Sequence, residues 1–209
     1  MCDRIRASYD TVAAEYARRI SDELRRKPFD CTLLEDFAHR LQTSDLVCDL
    51  GCGPGHVAKF LQQQGARAFG MDLSAGMISE ARRLNPAIDF VQGSALTLPI
   101  AFGALGGIIA FYSLIHFDGE TLAAALAEMH RALRKEGYAL IAFHTGGESL
   151  HTTDLWGYTV DLTVEMPPVA GVVDRLIEAG FIMERVLERD PYPEVEYQSR
   201  RGYILARKH

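Results

Sequence analysis

The chain has 209 residues, 48% of them apolar, and 28 acidic against 22 basic side chains give a formal charge of −6. That length suits one globular domain with a two-sided core, and the acidic balance argues against a partner held through a phosphate backbone, because nucleic-acid binders present a basic face. Four cysteines at 2, 31, 48 and 52 show no zinc-type or redox-type spacing; with no membrane-length apolar run and no signal-peptide pattern, reduced thiols and a cytoplasmic location are expected.

In chain order, Ile5, Tyr9, Val12, Ala13, Tyr16, Ile20 and Leu24 recur at three- and four-residue spacings, which predicts an amphipathic helix that Pro28 ends. Asp30 is placed to cap a second helix carrying Leu33, Leu34, Phe37 and Leu41. Strand and helix patterns then alternate: strand 46–50, helix 56–64, strand 67–72, a helix over 75–84 capped by Ser74, and a short strand at Phe90-Val91. A strand at 107–112, a long helix at 120–134 and a strand at 138–143 follow. Such alternation implies a mostly parallel sheet covered by helices on both faces. Pro167-Pro168 opens a further helix through Val172, Val173, Leu176 and Ile177 that stops at Gly180. Phe181 to Arg189 and Gly202 to Arg207 read as two strands with no helix between them, an antiparallel pair. Leu155, Trp156 and Tyr158 fall in a stretch assigned to no regular element, where Trp156 suits either an aromatic wall for an apolar substrate or edge packing. No linker, repeat or low-complexity segment interrupts the chain, so a single domain over 1–209 is expected.

Val47 to Leu61 carries the strongest chemical signal. Gly51, Gly53 and Gly55 follow an apolar strand ending in Asp49 and Leu50 and precede a helical pattern. A strand, glycine turn and helix in this order present a nucleotide-like ligand to a helix N-terminus. A dinucleotide fingerprint requires a third glycine where His56 stands, and a carboxylate at Asp49 repels a pyrophosphate but accepts from an ammonium group. A nicotinamide-dependent oxidoreductase is therefore the disfavoured reading of this turn.

Asp49-Leu50-Gly51-Cys52-Gly53-Pro54-Gly55 resembles the first motif of the class I S-adenosylmethionine-dependent methyltransferases. Ala66 to Asp72, a strand ending in an acid, and Ile108 to His116, similar to the family's fourth-strand segment, accompany it. The resemblance covers residues 44–145 well. It implies a doubly wound, mostly parallel seven-stranded α/β sheet with an antiparallel C-terminal strand, a Rossmann-like core over 44–209, and N-terminal lid helices over 1–43. The implied cofactor is S-adenosyl-L-methionine, with S-adenosyl-L-homocysteine as product, and the implied partner is a small-molecule methyl acceptor on a monomer or homodimer. Asp49, Gly51, Cys52, Gly53 and Gly55 would lie at its amino-acid end, and Asp72 at the ribose hydroxyls. Ser94 and Ala95 would lie at the adenine, with Leu73, Met77 and Phe111 beside them. Ser94 stands where the family commonly has aspartate, and Gly106 where an acid often precedes the fourth strand. Tyr9 and Tyr16 would lie on the lid, although seven residues apart they also form the buried stripe of an ordinary helix. His116 suits a general base, since an imidazole pKa of about 6.5 fits that task, or a packing role. His144 is expected to face the same pocket, and His116, His144 and Tyr16 are the catalytic candidates. His144, His151 and Asp154 match no familiar ligand pattern, so no metal is expected. A catalytically silent cofactor-binding module remains the third reading.

Overall fold

The computed structural model describes residues 2–209. Helix α1 (Cys2–Ile20) is followed by a 3-10 turn (Glu23–Arg26), which takes up Leu24, and by α2 (Pro28–His39). The core then runs β1 (Leu46–Leu50), α3 (His56–Gln63), β2 (Arg67–Asp72), α4 (Ala75–Leu84), β3 (Phe90–Gln92), β4 (Leu105–Phe111), α5 (Gly119–Ala132) and β5 (Leu133–Thr145). After it come β6 (Leu150–Leu155), β7 (Tyr158–Val164), α6 (Val169–Glu178), β8 (Phe181–Arg189) and β9 (Arg200–Lys208). Seven strands form one sheet in the order β3-β2-β1-β4-β5-β9-β8. All neighbours are parallel except β9, which runs antiparallel to both β5 and β8.

Both sheet faces are covered, as near-continuous apolar strands require. Val47, Ile109, Leu140, Ala142 and Leu205 point to one side, against Leu33, Leu34 and Phe37 of α2 and Val57 and Leu61 of α3. Cys48, Ile108, Ala110, Ile141 and Ile204 point to the other, against Leu122, Leu126 and Met129 of α5 and Val172 and Leu176 of α6. Sheet order reverses between β1 and β4, so the connections after these two strands diverge. A crevice opens there at the carboxyl ends of the strands.

Helix α1 lies across this edge. Its Val12 and Ala13 pack with Met77 of α4 and with Val160 and Leu162 of β7. Two expectations are corrected here. Asp30 is not a cap: Pro28 occupies the first turn of α2, the cap position is Lys27, and Asp30 is fully buried with Tyr203 and Arg189 as partners. The Trp156 stretch is regular after all, because β6 and β7 pair as an antiparallel hairpin whose turn is Trp156-Gly157, both at positive φ. The hairpin buries its alternate residues Val160 and Leu162 on α1, so α1 is held between the core and a β layer.

Candidate active site

The three glycines of the turn after β1 all take positive φ, at +70°, +50° and +81°, which a Cβ would strain. Their surroundings differ. A Cβ on Gly51 would stand 2.2 Å from that of Ser113, and one on Gly55 2.6 Å from the Phe90 ring, whereas Gly53 has only Tyr16 nearby, at 3.7 Å. Gly53 faces open crevice, Gly51 lines the crevice while packed against Ser113, and Gly55 packs the turn onto β3.

Asp72, at the end of β2, ties this turn to the next helix. One carboxylate oxygen accepts from Gly53 N and the other from Ser74 N, both at 2.8 Å. Burial raises its pKa. Ser74 caps α4 as expected, accepting from Met77 N at 3.0 Å, and donates its own hydroxyl to Asp10 of α1 at 2.6 Å. Asp10 also accepts from Gly76 N. The residue after Tyr9 thus anchors α1 to the N-terminus of α4.

Around this frame the cavity is lined by Leu73, Met77, Ser94 and Ala95 on one side and by Phe111, Tyr112, Ser113 and Leu114 on another, with Tyr9 and Tyr16 above. Cys52 also lines it. The two α1 tyrosines meet edge to face with ring centroids 5.8 Å apart, and Trp156 of the hairpin stands 5.8 Å beyond Tyr16. Burial raises the pKa of the Tyr16 phenol, which stays protonated. His116 lines the wall opposite, with Nε2 2.7 Å from the Tyr9 hydroxyl, and burial lowers its pKa, leaving the ring neutral.

Several predicted residues lie elsewhere. Asp49 does not reach the cavity: it is 1% exposed and its carboxylate accepts from Ala58 N at 2.9 Å, fixing the first turn of α3. A strand residue at that register faces the helix, not the ligand crevice. Gly55 belongs to packing, as above. Gly106 lies inside β4, where a Cβ would come within 2.4 Å of Asp45, and is not part of the lining. His144 is also outside the lining: on β5 it shares a sheet face with Leu140 and Ala142, sits 5.3 Å from the far side of Tyr112, and receives Arg201 Nη1 at 2.8 Å on its Nδ1. His151 and Asp154 are on the exposed hairpin, apart from His144. Among the described residues no cluster of His, Cys, Asp and Glu is arranged to hold a metal ion.

Lining residues that sequence reasoning missed include Glu23, His56 and Ser113. Glu23 Oε1 and His56 Nε2 are 3.1 Å apart, and Lys27 donates to the same carboxylate at 2.7 Å. Burial pushes the Glu23 pKa up, but His56 and Lys27 outweigh it and hold the group at about 2. His56 Nδ1 and Ser113 Oγ are buried in the lining without a partner, two polar atoms available to a ligand. Sequence offered a signal for Ser113 alone, since it follows a parallel strand at the carboxyl edge.

His144 supplies a test of this arrangement. Burial, then the charges of Arg201 and Lys27, press its pKa down to about 3, so the folded state refuses a proton that the unfolded chain takes near pH 6.5. Its stabilising effect is present above pH 6.5 and is lost as pH falls towards 3, by about 2 kcal/mol between pH 7 and 5. Asp49, raised to about 7 by burial, works in the opposite sense over that window. The histidine contribution is therefore read as a difference. His144→Asn should lose about 2 kcal/mol less than the parent on going from pH 7 to 5 in urea unfolding; equal losses would mean that His144 titrates normally.

Comparison with known proteins agrees with this geometry. Residues 47–137 match the model of a family described as a methyltransferase domain. A malonyl-[acyl-carrier protein] O-methyltransferase of Enterobacter lignolyticus is 30% identical over 141 residues, 68% of this chain and 53% of that protein. A demethylmenaquinone methyltransferase of Beutenbergia cavernae is 32% identical over 96 residues, 46% of this chain and 39% of that protein. The chain spans about half the length of the curated relatives it matches. Among solved structures, the 1,6-didemethyltoxoflavin-N1-methyltransferase of Burkholderia thailandensis, with its substrate and S-adenosylhomocysteine bound, superposes with a TM-score of 0.75 at 20% identity, covering 99% of this chain and 88% of that one. The [4+2]-cyclase SpnF superposes with a TM-score of 0.76 at 14% identity, covering 100% and 97%. Residues 47–137 thus match a methyltransferase domain, and the sheet order and glycine turn are those of the class I S-adenosylmethionine-dependent methyltransferase fold.

Proposed function

We propose that this protein binds S-adenosyl-L-methionine in the crevice between β1 and β4 and transfers its methyl group to an oxygen, nitrogen or sulfur atom of a small molecule. The observation that carries the reading is Asp72, whose buried carboxylate lines the cavity while bonded to the amide of Gly53. A carboxylate at the end of the second strand is the acceptor for vicinal ribose hydroxyls in sheets of this kind. The residues present fit the rest of the group. Leu73, Met77, Ala95 and Leu114 make an apolar slot for a planar base, with the Ser94 hydroxyl at its rim. Gly53 leaves room for the amino-acid end, with Gly51 and Cys52 beside it in the lining, and the unpartnered Ser113 Oγ and His56 Nδ1 stand by.

When bound, the cofactor supplies a methyl group on a sulfonium cation. The chain's part is to position and to exclude water. Tyr9, Tyr16 and Phe111 surround the chamber with aromatic faces, which attract a cation. Helix α1 acts as a lid: Asp10 fastens its middle to the N-terminus of α4, and the hairpin backs it from outside. Asp49 and Gly55 serve the site indirectly by fixing α3 and the turn. Some relatives act on oxygen and others on nitrogen, and the same fold carries a cyclase, so the acceptor must be established by product. The formal charge of −6 favours a small molecule over nucleic acid, and no helix of the described chain is long and apolar enough to cross a membrane.

The test is a calorimetric titration of ligand-stripped protein with S-adenosylhomocysteine, with NADH as control. Saturable binding of the former alone is expected. Binding of NADH alone would sink the reading, and cofactor binding with no methylated product from any acceptor would reduce the protein to a binding module.

A further inference from the structure

Tyr9 of α1 and His116 beyond β4 meet across the cavity, and the direction of their hydrogen bond is fixed by the far side of the imidazole. His116 Nδ1 lies 2.6 Å from the carbonyl oxygen of Thr163, which only accepts. The ring proton is therefore on Nδ1, Nε2 presents a lone pair, and the Tyr9 hydroxyl, 2.7 Å away, donates to it. Both side chains line the cavity. His116 also forms part of a separate cleft outside, with Arg4, Asp118, Asp161, Thr163 and Glu165. Arg4 is paired with Asp161 at 3.1 Å, which leaves the Glu165 charge to favour a proton on the ring. A neutral imidazole thus stands between the cavity and an acidic cleft, with a phenol on its cavity side.

Among the described residues, the side-chain cations near this wall are each paired with an acid. Of the lining residues, Arg6 donates to Asp3 and His56 is engaged by Glu23. Lys27 and Arg201, each 5.5 Å from the Tyr112 ring, are held by Glu23 and by Glu196 respectively. A carboxylate acceptor needs a cation and no base. Among the described residues, this wall offers a base and no unpaired cation.

Building on the methyl-transfer reading, we propose that the acceptor is a protic nucleophile, a hydroxyl, phenol, amine or thiol, and that its proton leaves through Tyr9 to His116. As the acceptor atom bonds to the methyl carbon, the carbon–sulfur bond breaks and its electron pair stays on sulfur. The acceptor's proton passes to the Tyr9 oxygen while the phenolic proton passes to His116 Nε2. Tyr9 ends as a phenol again, and His116 ends as an imidazolium held by Thr163 and facing Glu165. The proton is then released into the outer cleft. Burial keeps a tyrosinate out of reach, so the two transfers occur together.

The test uses the full chain saturated with S-adenosylhomocysteine and labelled with 15N-histidine, as parent and as Tyr9→Phe. His116 should show a proton on Nδ1, and the variant should move the Nε2 resonance towards that of an unbonded lone pair. A proton on Nε2, or a resonance that ignores the substitution, overturns the proposal. A second arm offers labelled S-adenosylmethionine to a panel of phenols, alcohols, amines, thiols and carboxylic acids. Label is expected in products stable to mild alkali, with Tyr9→Phe slowing their formation by about 100-fold or more. Label confined to methyl esters that release methanol, or none from the phenols, alcohols, amines and thiols, overturns it as well. Failure to bind S-adenosylhomocysteine at all would instead defeat the methyl-transfer reading.

Discussion

Replacing Arg189 by alanine should cost about 3–5 kcal/mol of stability, the range for breaking a buried ion pair from one side. The guanidinium bridges two carboxylates that water does not reach: it donates to Asp30 at 3.0 Å and to both oxygens of Glu196 at 2.7 and 3.0 Å. Asp30 and Glu196 side chains are 0% and 1% exposed. Burial raises the Asp30 pKa even with Arg189 and Tyr203 opposing it, so without Arg189 the acid must take up a proton or remain charged with a single hydroxyl for support. Glu196 keeps Tyr192 N at 2.8 Å and two more distant cations, Arg201 at 3.5 Å and Lys27 at 3.6 Å. Arg189 also lies 4.3 Å over the Tyr192 ring, packing that is lost with the side chain. Lysine at 189 should recover only part of the loss, because a point charge cannot reproduce the planar fork between two acids. Urea unfolding at pH 7 reads the effect, and the melting temperature should fall by roughly 6–20 °C. A loss under 1 kcal/mol would mean that the cluster is hydrated and of little weight. Its position gives it reach into function: Asp30 belongs to α2 and Glu196 to the β8–β9 loop, and from Glu196 a chain of polar contacts runs through Lys27 and Glu23 to His56 at the cavity.

What the sequence made legible follows from the range of the interactions concerned. The turn at 51–55, the acid ending β2 and the Ser74 cap are decided within a few residues, and each stands in the structure where its local chemistry puts it. Asp30 is not legible locally because its partners are 159 and 173 residues away, and an acid two residues after a proline looks the same whether it caps or is buried. The hairpin at 150–164 carried a period-two signal in Tyr158 to Val164. It was masked by a turn that puts Trp156 at φ +56°, where asparagine, aspartate or glycine is the usual choice. His144 and Asp49 show a different limit. Sequence placed both at the carboxyl edge of the sheet, but the face each one takes depends on what packs there: α3 for Asp49, and Tyr112 with Arg201 for His144. The Tyr9–His116 pair joins residues 107 apart, and neither one announces the other.

Asp72→Ala should weaken S-adenosylhomocysteine binding by about 1.5–3 kcal/mol, the scale of hydrogen bonds to a charged group, or roughly 10–150-fold in Kd. Two effects contribute in the same direction. The ligand loses an acceptor that is buried in the cavity wall, and the glycine turn loses the carboxylate that holds Gly53 N and Ser74 N at 2.8 Å. The second effect is separable, since a loosened turn also lowers the melting temperature whereas a lost ligand contact does not. Asp72→Asn sharpens the comparison. Its amide oxygen can still accept from one of the two backbone amides, but it carries no charge and offers the ligand a weaker acceptor. The asparagine variant should therefore fall between parent and alanine in affinity while staying nearer the parent in stability. Calorimetry of all three proteins against the same ligand decides the matter. Affinity equal to the parent's in both variants would remove Asp72 from the site and, with it, the observation on which the methyl-transfer reading rests. A graded loss would place the ribose end of the cofactor at β2 and leave the wall of Tyr9 and His116 free for the acceptor.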